Sequence, residues 1–286
     1  VCPLAERATA TRTLDVAPPP WVVLECQETG MVFLQNPPGY DSLRQEFAWE
    51  HTYAQQAVRR KAEEPVLQGL SQAAKRFRRQ VLKRHKVADM ATALVSQMAS
   101  DPDPVDMVDI GCGGGELLGR VMDRLPQEVR MRCRPHGIEI SDVLAARSQA
   151  ALAPHGGSCV HAPALEGLRS FAPGSLHLVV MSSFLEHETQ PLPVLRAACQ
   201  ALAPDGRVLI KVPNYACWNR HLRGRRWAGY RWPDHVNYFT PQTLGAMAKA
   251  AGLRVQRMNW RDRMPISDSL YAVLARANAG GQRTTT

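Results

Sequence analysis

From residue 105 onward the chain alternates two textures. Short apolar runs fall at 105–110, 134–139, 158–161, 176–182, 206–212, 253–260 and 268–275. Between them, apolar residues recur at helical spacing over about 115–124, 141–152, 192–203 and 241–251. Continuous apolar runs predict strands buried on both faces, and the amphipathic stretches predict helices laid over them. The rhythm predicts an α/β fold: a doubly wound, seven-stranded, mostly parallel sheet. Little more than "RDRMPI" separates the last two runs. A hairpin there would set an antiparallel strand into the sheet. Ligands of such sheets sit beyond the carboxyl ends of the strands, near the reversal of strand order.

The front of the chain has a different pattern. "WVVLECQETGMVFLQNPP" reads as two strands around a Glu-Thr-Gly turn. From about Pro37 to Ser100 the spacing is helical, broken by Pro65, and "SDPDP" then forms a linker. The expected units are 1–36, a short β segment; 37–100, a basic helical lid and linker; and 101–286, the α/β domain.

Composition narrows this little. The 286 residues are 45% hydrophobic and 21% charged, an ordinary globular balance. There is no apolar run of 18 residues and no visible signal peptide. Seven cysteines at scattered spacings suit reduced thiols and a cytoplasmic protein. The net charge of +9 points to an anionic partner without choosing its kind. Residues 58–86 carry ten Lys or Arg against two Glu. They read as a solvated face or lid, or as a contact for a polyanion. Only Phe77 is available there for base stacking.

The candidate chemistry starts at "MVDIGCGGGELLGRV", a strand, a glycine-rich turn and a helix. Glycines permit positive φ and close approach of a ligand. A phosphate loop would need G-x-x-x-x-G-K-[ST], and no Lys-Ser or Lys-Thr follows. A dinucleotide loop counted from Gly111 would place its last glycine at Glu116, where an acid would repel pyrophosphate. "VDIGCGGG" resembles the first motif of class I S-adenosylmethionine-dependent methyltransferases, with Asp109, Gly111, Gly113 and Gly115 matching position by position. Glu139, 28 residues after Gly111, ends the next strand, where an acid can accept from both ribose hydroxyls. "VHAPALEG" and "ALAPDGRVLIKVPN" resemble the later motifs of the family in the right order.

The resemblance implies a Rossmann-like methyltransferase fold and S-adenosyl-L-methionine as cofactor. It implies that Asp109, Gly111, Cys112, Gly113 and Gly115 cradle the amino-acid end of that molecule. By the same likeness Glu139 takes the ribose, and Ile140, Ala164 and Leu165 bracket the adenine. Met181 and Ser182 would face the methionine part. Where many members carry an acid or small polar group, this chain has Ala164. Family members use N-terminal helices such as 37–100 as lids.

After the fourth strand comes "SSFLEHETQP". Glu186-His187 resembles the Glu-His pair of ubiquinone-type O-methyltransferases. Some of those hold a divalent metal with Glu-x-x-Glu-His. The first acid of that pattern is Ser183 here, so no metal site is expected. His187 is a candidate general base, as is His235, since an imidazole titrates near neutrality. His235 belongs to a Pro-x-His-x-x-x-Phe-[ST] stretch found in a subgroup of these enzymes. Each histidine can equally be a hydrogen-bonding group that shapes its loop. Asn214 to Pro241 holds three Trp and five Arg between 220 and 231. Trp218, Arg223, Arg226, Trp227 and Trp232 are the candidate substrate contacts, suited to an anionic or sugar-like small acceptor.

Some members of that subgroup open with a zinc ribbon. Cys2 and Cys26 hold the first position of each cysteine pair, while Ala5 and Thr29 replace the second. Two thiolates cannot close a tetrahedral site, so a ribbon-like segment without zinc is expected. The reading that results is a methyltransferase acting on a small acceptor. Two others stay open: an RNA methyltransferase docking through its basic helices, and a non-catalytic partner protein built on the cofactor fold.

Overall fold

The computed structural model describes residues 1–39, 86–98 and 104–277. Three short strands come first: β1 (Thr11–Leu14), β2 (Val23–Cys26) and β3 (Val32–Leu34). Helix α1 (Lys86–Met98) leads into the α/β region. There follow β4 (Val105–Ile110), α2 (Glu116–Arg124), the one-turn α3 (Gln127–Arg130) and β5 (Cys133–Glu139). Next come α4 (Asp142–Leu152), β6 (Ser158–His161), α5 (Ala164–Arg169), β7 (Leu176–Ser182) and α6 (Pro191–Ala201). The chain ends through β8 (Leu202–Pro213), α7 (Trp218–Arg223), β9 (Asn237–Tyr238), α8 (Pro241–Ala250), β10 (Leu253–Arg257) and β11 (Ser269–Arg276).

The large sheet has the order β10-β11-β8-β7-β4-β5-β6. Strands β8, β7, β4, β5 and β6 run parallel. β11 pairs antiparallel with both β8 and β10, which is the hairpin expected from the short spacing. The strand order reverses beside β4: β5 and β6 lie on one side, and β7 opens the other. The crevice at that reversal is where the loops after β4 and β7 meet.

Alternation along the central strands divides the core. Met107, Leu178 and Val180 pack on one face with Leu118, Val121 and Met122 of α2 and Ala88, Ala91 and Val95 of α1. Val108, Ile110, Val179 and Met181 pack on the other face with Leu192 and Leu195 of α6 and Leu244 and Met247 of α8. Each such side chain contributes roughly 1.5–3 kcal/mol when fully buried. Helix α8 starts where Thr240 accepts from the Thr243 N–H in a capping box, with Pro241 in the first turn.

β8 is longer than its apolar run predicts. The preceding helix stops at Ala201, and Leu202–Gly206 pairs irregularly with β7, the register shifting between Leu176 and Leu178. Gly206 is required there, because a Cβ would lie 2.7 Å from Leu202 Cγ. β10 stops three residues short of the predicted 260, at Arg257.

The N-terminal strands form a second, four-stranded antiparallel sheet in the order β1-β2-β3-β9. Its fourth strand comes from the long insertion after β8, with Val32 opposite Tyr238 and Phe33 opposite Asn237. Val23, Val32 and Leu34 pack with Tyr215, Cys217, Trp227, Tyr230 and Tyr238 in a core of their own. Cys2, Leu24, Cys26, Met31 and Phe33 join the core of the large sheet instead. Cys26 lies 3.2 Å from the Thr9 hydroxyl, and Cys2 lies 3.5 Å from that of Thr29. Burial raises the Cys26 thiol pKa, but hydrogen bonds from Thr29 and Thr9 outweigh it and hold the thiol at about 7. Of the expected lid, residues 40–85 and 99–100 lie outside the described residues, as do the linker residues 101–103. No helix among the described residues is long and apolar enough to cross a membrane.

Trp227 is 1% exposed, and its indole N–H donates to Asp268 at 2.9 Å. Trp227→Ala is expected to cost about 3–5 kcal/mol. The measurement is the urea unfolding midpoint at unchanged m-value.

Candidate functional site

The loop after β4 is built on alternating glycines. Gly111, Gly113 and Gly115 have φ of 67°, 56° and 85°. Side chains in that left-handed region cost about 1–2 kcal/mol each, so glycine is the residue that lets the chain turn this way. The N–H groups of Gly111 and Cys112 donate to the Ile138 carbonyl, which docks the loop on β5. Gly111 also admits a close neighbour: a Cβ there would sit 3.1 Å from the Phe184 ring. The loops after β4 and β7 are therefore in contact.

Three carboxylates converge on this loop. Glu139 ends β5 and accepts from Gly113 N–H at 2.9 Å and from Ile140 and Ser141 N–H at 2.9 and 3.0 Å. Asp109 is buried, and its pKa is raised well above the usual carboxylate value. Burial is the main cause, followed by the like charges of Glu139 and Glu116. A cluster of this sign is matched by a ligand that brings positive charge and hydroxyl donors.

The remaining residues of this group are not equally exposed to a ligand. The Cys112 sulfur lies 3.2 Å from the Ser148 hydroxyl and 3.8 Å from Cys159, under β5 at Gly137, so it faces the interior. Ile140 is half-exposed, and its carbonyl lies 3.0 Å from His161 Nε2. Ala164 opens α5 and is buried against the large core, with Leu165 beside it half-buried. The Met181 side chain, expected to face the methionine part, is wholly buried in the core. The half-buried Ser182 is the residue left at the end of the strand.

A second cluster forms across the crevice, between the loop after β7 and the insertion before α8. The N–H groups of Val236 and Asn237 donate to the Glu186 carbonyl at 2.7 and 3.1 Å. The Asn237 side chain donates to the carbonyls of Leu185 and Glu188 at 3.0 and 2.6 Å. This clamp brings His187 and His235 together, their ring centroids 4.7 Å apart at 84°. His187 Nδ1 lies 2.9 Å from the Asp234 carbonyl, and His235 Nδ1 lies 2.7 Å from the Gly229 carbonyl. A carbonyl only accepts, so Nδ1 carries the proton and Nε2 the lone pair.

Burial keeps both rings neutral. The His187 pKa is lowered to about 3 by burial and then by the Arg231 charge. That of His235 is pushed well down by burial, then by His187 and Arg231. Glu186 is 1% exposed, and burial raises its pKa to about 7, with Lys211 and Arg231 pulling the other way. Its Oε2 has no hydrogen-bond partner. Ser183, at φ 59°, accepts a hydrogen bond from the Lys211 ammonium. Arg231 pairs with Asp234 at 3.1 Å, both side chains largely buried.

Sequence reasoning missed Lys211, Arg231, Asp234 and Asn237. The signal for Lys211 was a lone cation in the apolar run "VLIKV". The predicted substrate contacts are dispersed. Trp227 is core, which corrects its reading as a substrate contact. Trp232 stacks on Tyr230 at 5.0 Å, beneath the histidine loop. Trp218 and Arg226 are exposed and Arg223 is partly so, all near α7, whose first N–H donates to the Pro265 carbonyl.

A doubly wound sheet with a glycine loop and a strand-end acid at the reversal of strand order defines a protein that binds a nucleoside-containing cofactor. A family model described as a methyltransferase domain matches residues 76–257. The chain belongs to that family and is an S-adenosylmethionine-dependent methyltransferase. It is 29% identical over 168 residues to a ubiquinone biosynthesis O-methyltransferase of Cupriavidus pinatubonensis, over 56% of this chain and 65% of that one. It therefore spans a little under two thirds of that relative. The enzyme of the same description from Aeromonas salmonicida is 30% identical over 176 residues, 57% of this chain and 68% of its own length. The CcbJ methyltransferase from Streptomyces caelestis shares the fold, at a TM-score of 0.50 and 17% identity, over 66% of this chain and 89% of the other.

Asn237→Ala would leave two buried carbonyls without donors. The expected cost is about 1–3 kcal/mol, read as a lower thermal midpoint.

Proposed function

We propose that this chain moves a methyl group from S-adenosylmethionine to a hydroxyl oxygen of a small, anionic or sugar-like acceptor. The observation that carries the reading is the facing pair of clusters: acids on the side of β4 and β5, neutral histidines flanked by cations on the side of β7. The curated relatives named above are O-methyltransferases, which supports oxygen as the nucleophile.

In this reading Asp109 and the backbone of Gly111, Cys112, Gly113 and Gly115 hold the amino-acid end of the donor. Glu139 already accepts three N–H groups and can take ribose hydroxyls in the same geometry. Ile140, Ala164 and Leu165 border the adenine, and Ser182 the methionine part. The donor supplies an electrophilic methyl on a sulfonium. The acceptor oxygen forms a bond to that carbon as the carbon–sulfur bond breaks, and the sulfur keeps the electron pair. The hydroxyl proton must leave. His187 and His235 present Nε2 lone pairs to it as weak bases, since burial holds both imidazole pKa values well below neutrality. Lys211 and Arg231 favour an acceptor that carries negative charge. Positioning supplies most of the rate.

Transfer from methyl-labelled S-adenosylmethionine to a panel of phenols, hydroxy acids and sugars tests the reaction. An ether product supports the reading, and label found only on nitrogen or RNA overturns it. Gly113→Asp forces a side chain and a further acid into the loop. It is expected to weaken cofactor affinity at least ~10-fold, the equivalent of about 1.4 kcal/mol. Cofactor affinity should also fall with falling pH. A cationic ligand prefers ionised Asp109, whose pKa in the free protein is raised, so protonation competes with binding from the acid side. Calorimetry across pH checks the trend, which Asp109→Asn should flatten.

A further inference from the structure

The acid missing at Ser183 removes one ligand from the Glu-x-x-Glu-His pattern, and the nearby Glu188 accepts from the Gln190 N–H instead. The fold brings a replacement from the other loop. One potential ligand atom each from Glu186, His187 and His235 lies within 4.8 Å of the other two. We infer that these three residues form a two-histidine, one-carboxylate site for a divalent transition ion such as cobalt or zinc.

Three observations carry this. Both imidazoles are tied through Nδ1–H to backbone carbonyls, at 2.9 Å for His187 and 2.7 Å for His235. That is the outer-shell arrangement that orients Nε2 toward a metal. Next, Glu186 Oε2 is buried and has no hydrogen-bond partner, a costly state for a polar atom unless a ligand completes it. Finally, the donors come from two loops clamped together by Asn237, so the site is held by the fold rather than by one flexible segment. Small side-chain rotations would bring all three onto one ion with bonds of about 2.0–2.2 Å.

The surrounding charge sets the kind of ion. Lys211 and Arg231 face this pocket and are matched by Glu186 and Asp234. With two cations beside it, carboxylate charge is not what draws an ion into this pocket. Magnesium and calcium depend on oxygen ligands and their charge. Imidazole donors favour zinc, cobalt, nickel or iron. In the reaction proposed above, on which this role alone rests, the ion would lower the pKa of the acceptor hydroxyl.

The test uses the full chain, stripped with a chelator and titrated with Co2+ by visible absorption and calorimetry, without acceptor. One equivalent should bind with the bands of imidazole-ligated cobalt, Zn2+ should bleach them, and Mg2+ should do neither. Glu186→Gln and His235→Ala should each weaken Co2+ binding more than about 100-fold, beyond the range of an outer-shell change. Ser183→Ala should leave it unchanged. Cofactor affinity, measured in parallel, reports whether each variant folds, and the isosteric Glu186→Gln serves if His235→Ala does not. No stoichiometric cobalt binding, or binding undiminished in the folded variants, overturns the inference. Methyl transfer without metal uptake overturns it alone, and metal uptake without transfer overturns only the proposed reaction.

Discussion

The hydrogen bonds around Asn237 tie three parts of the molecule together at a single residue. Its backbone belongs to β9 and completes the small sheet against Phe33. Its side chain holds two carbonyls of the loop after β7. The N-terminal strands, the insertion and the loop after β7 thus meet at one buried amide, beside the apolar packing of Leu24, Met31 and Phe33 on the large core. Buried amides are costly when unpaired and well defined when paired, so the position of the loop follows from the pairing. The histidine pair and the orphan carboxylate inherit their places from it.

The two sides of the crevice use opposite electrostatics. On the side of β4 and β5, burial and then the neighbouring acids raise the pKa of Asp109. On the side of β7, burial removes charge from two imidazoles while Lys211 and Arg231 remain beside them. A sulfonium donor and an electron-rich acceptor would be sorted to different sides by this field alone. The contact between Gly111 and Phe184 keeps the two sides within reach of each other.

Much of the fold was legible in the sequence because the central strands are buried on both faces. Val105–Ile110 and Leu176–Ser182 have the predicted limits, and the "RDRMPI" spacing marked the antiparallel β11 correctly. The glycine loop was legible because positive φ at three alternating positions demands glycine. The other half of the site was not. His187 and His235 stand far apart in the chain, and their meeting depends on β9 pairing with β3, a long-range contact without local pattern. Trp227 sits among arginines, so composition suggested a substrate contact, whereas its indole reaches inward to Asp268. Met181 misled for a related reason: one residue along a strand changes the face, and Ser182 has the outward place.

The insertion after β8 serves two purposes at once. It carries Arg231, Asp234 and His235, and it also supplies the last strand of the small sheet. In the proposed reaction, a shorter or longer insertion would therefore change which molecules fit and disturb the reacting groups in the same event. Enzymes whose recognition loops are separate from their chemistry can drift toward new substrates by small steps. Here such drift is constrained, because diversification has to preserve the spacing from Gly229 to Tyr238 while it varies the exposed turn around α7. Variation among descendants of this chain is thereby channelled to Trp218–Arg226, the one stretch of the insertion where most side chains reach solvent.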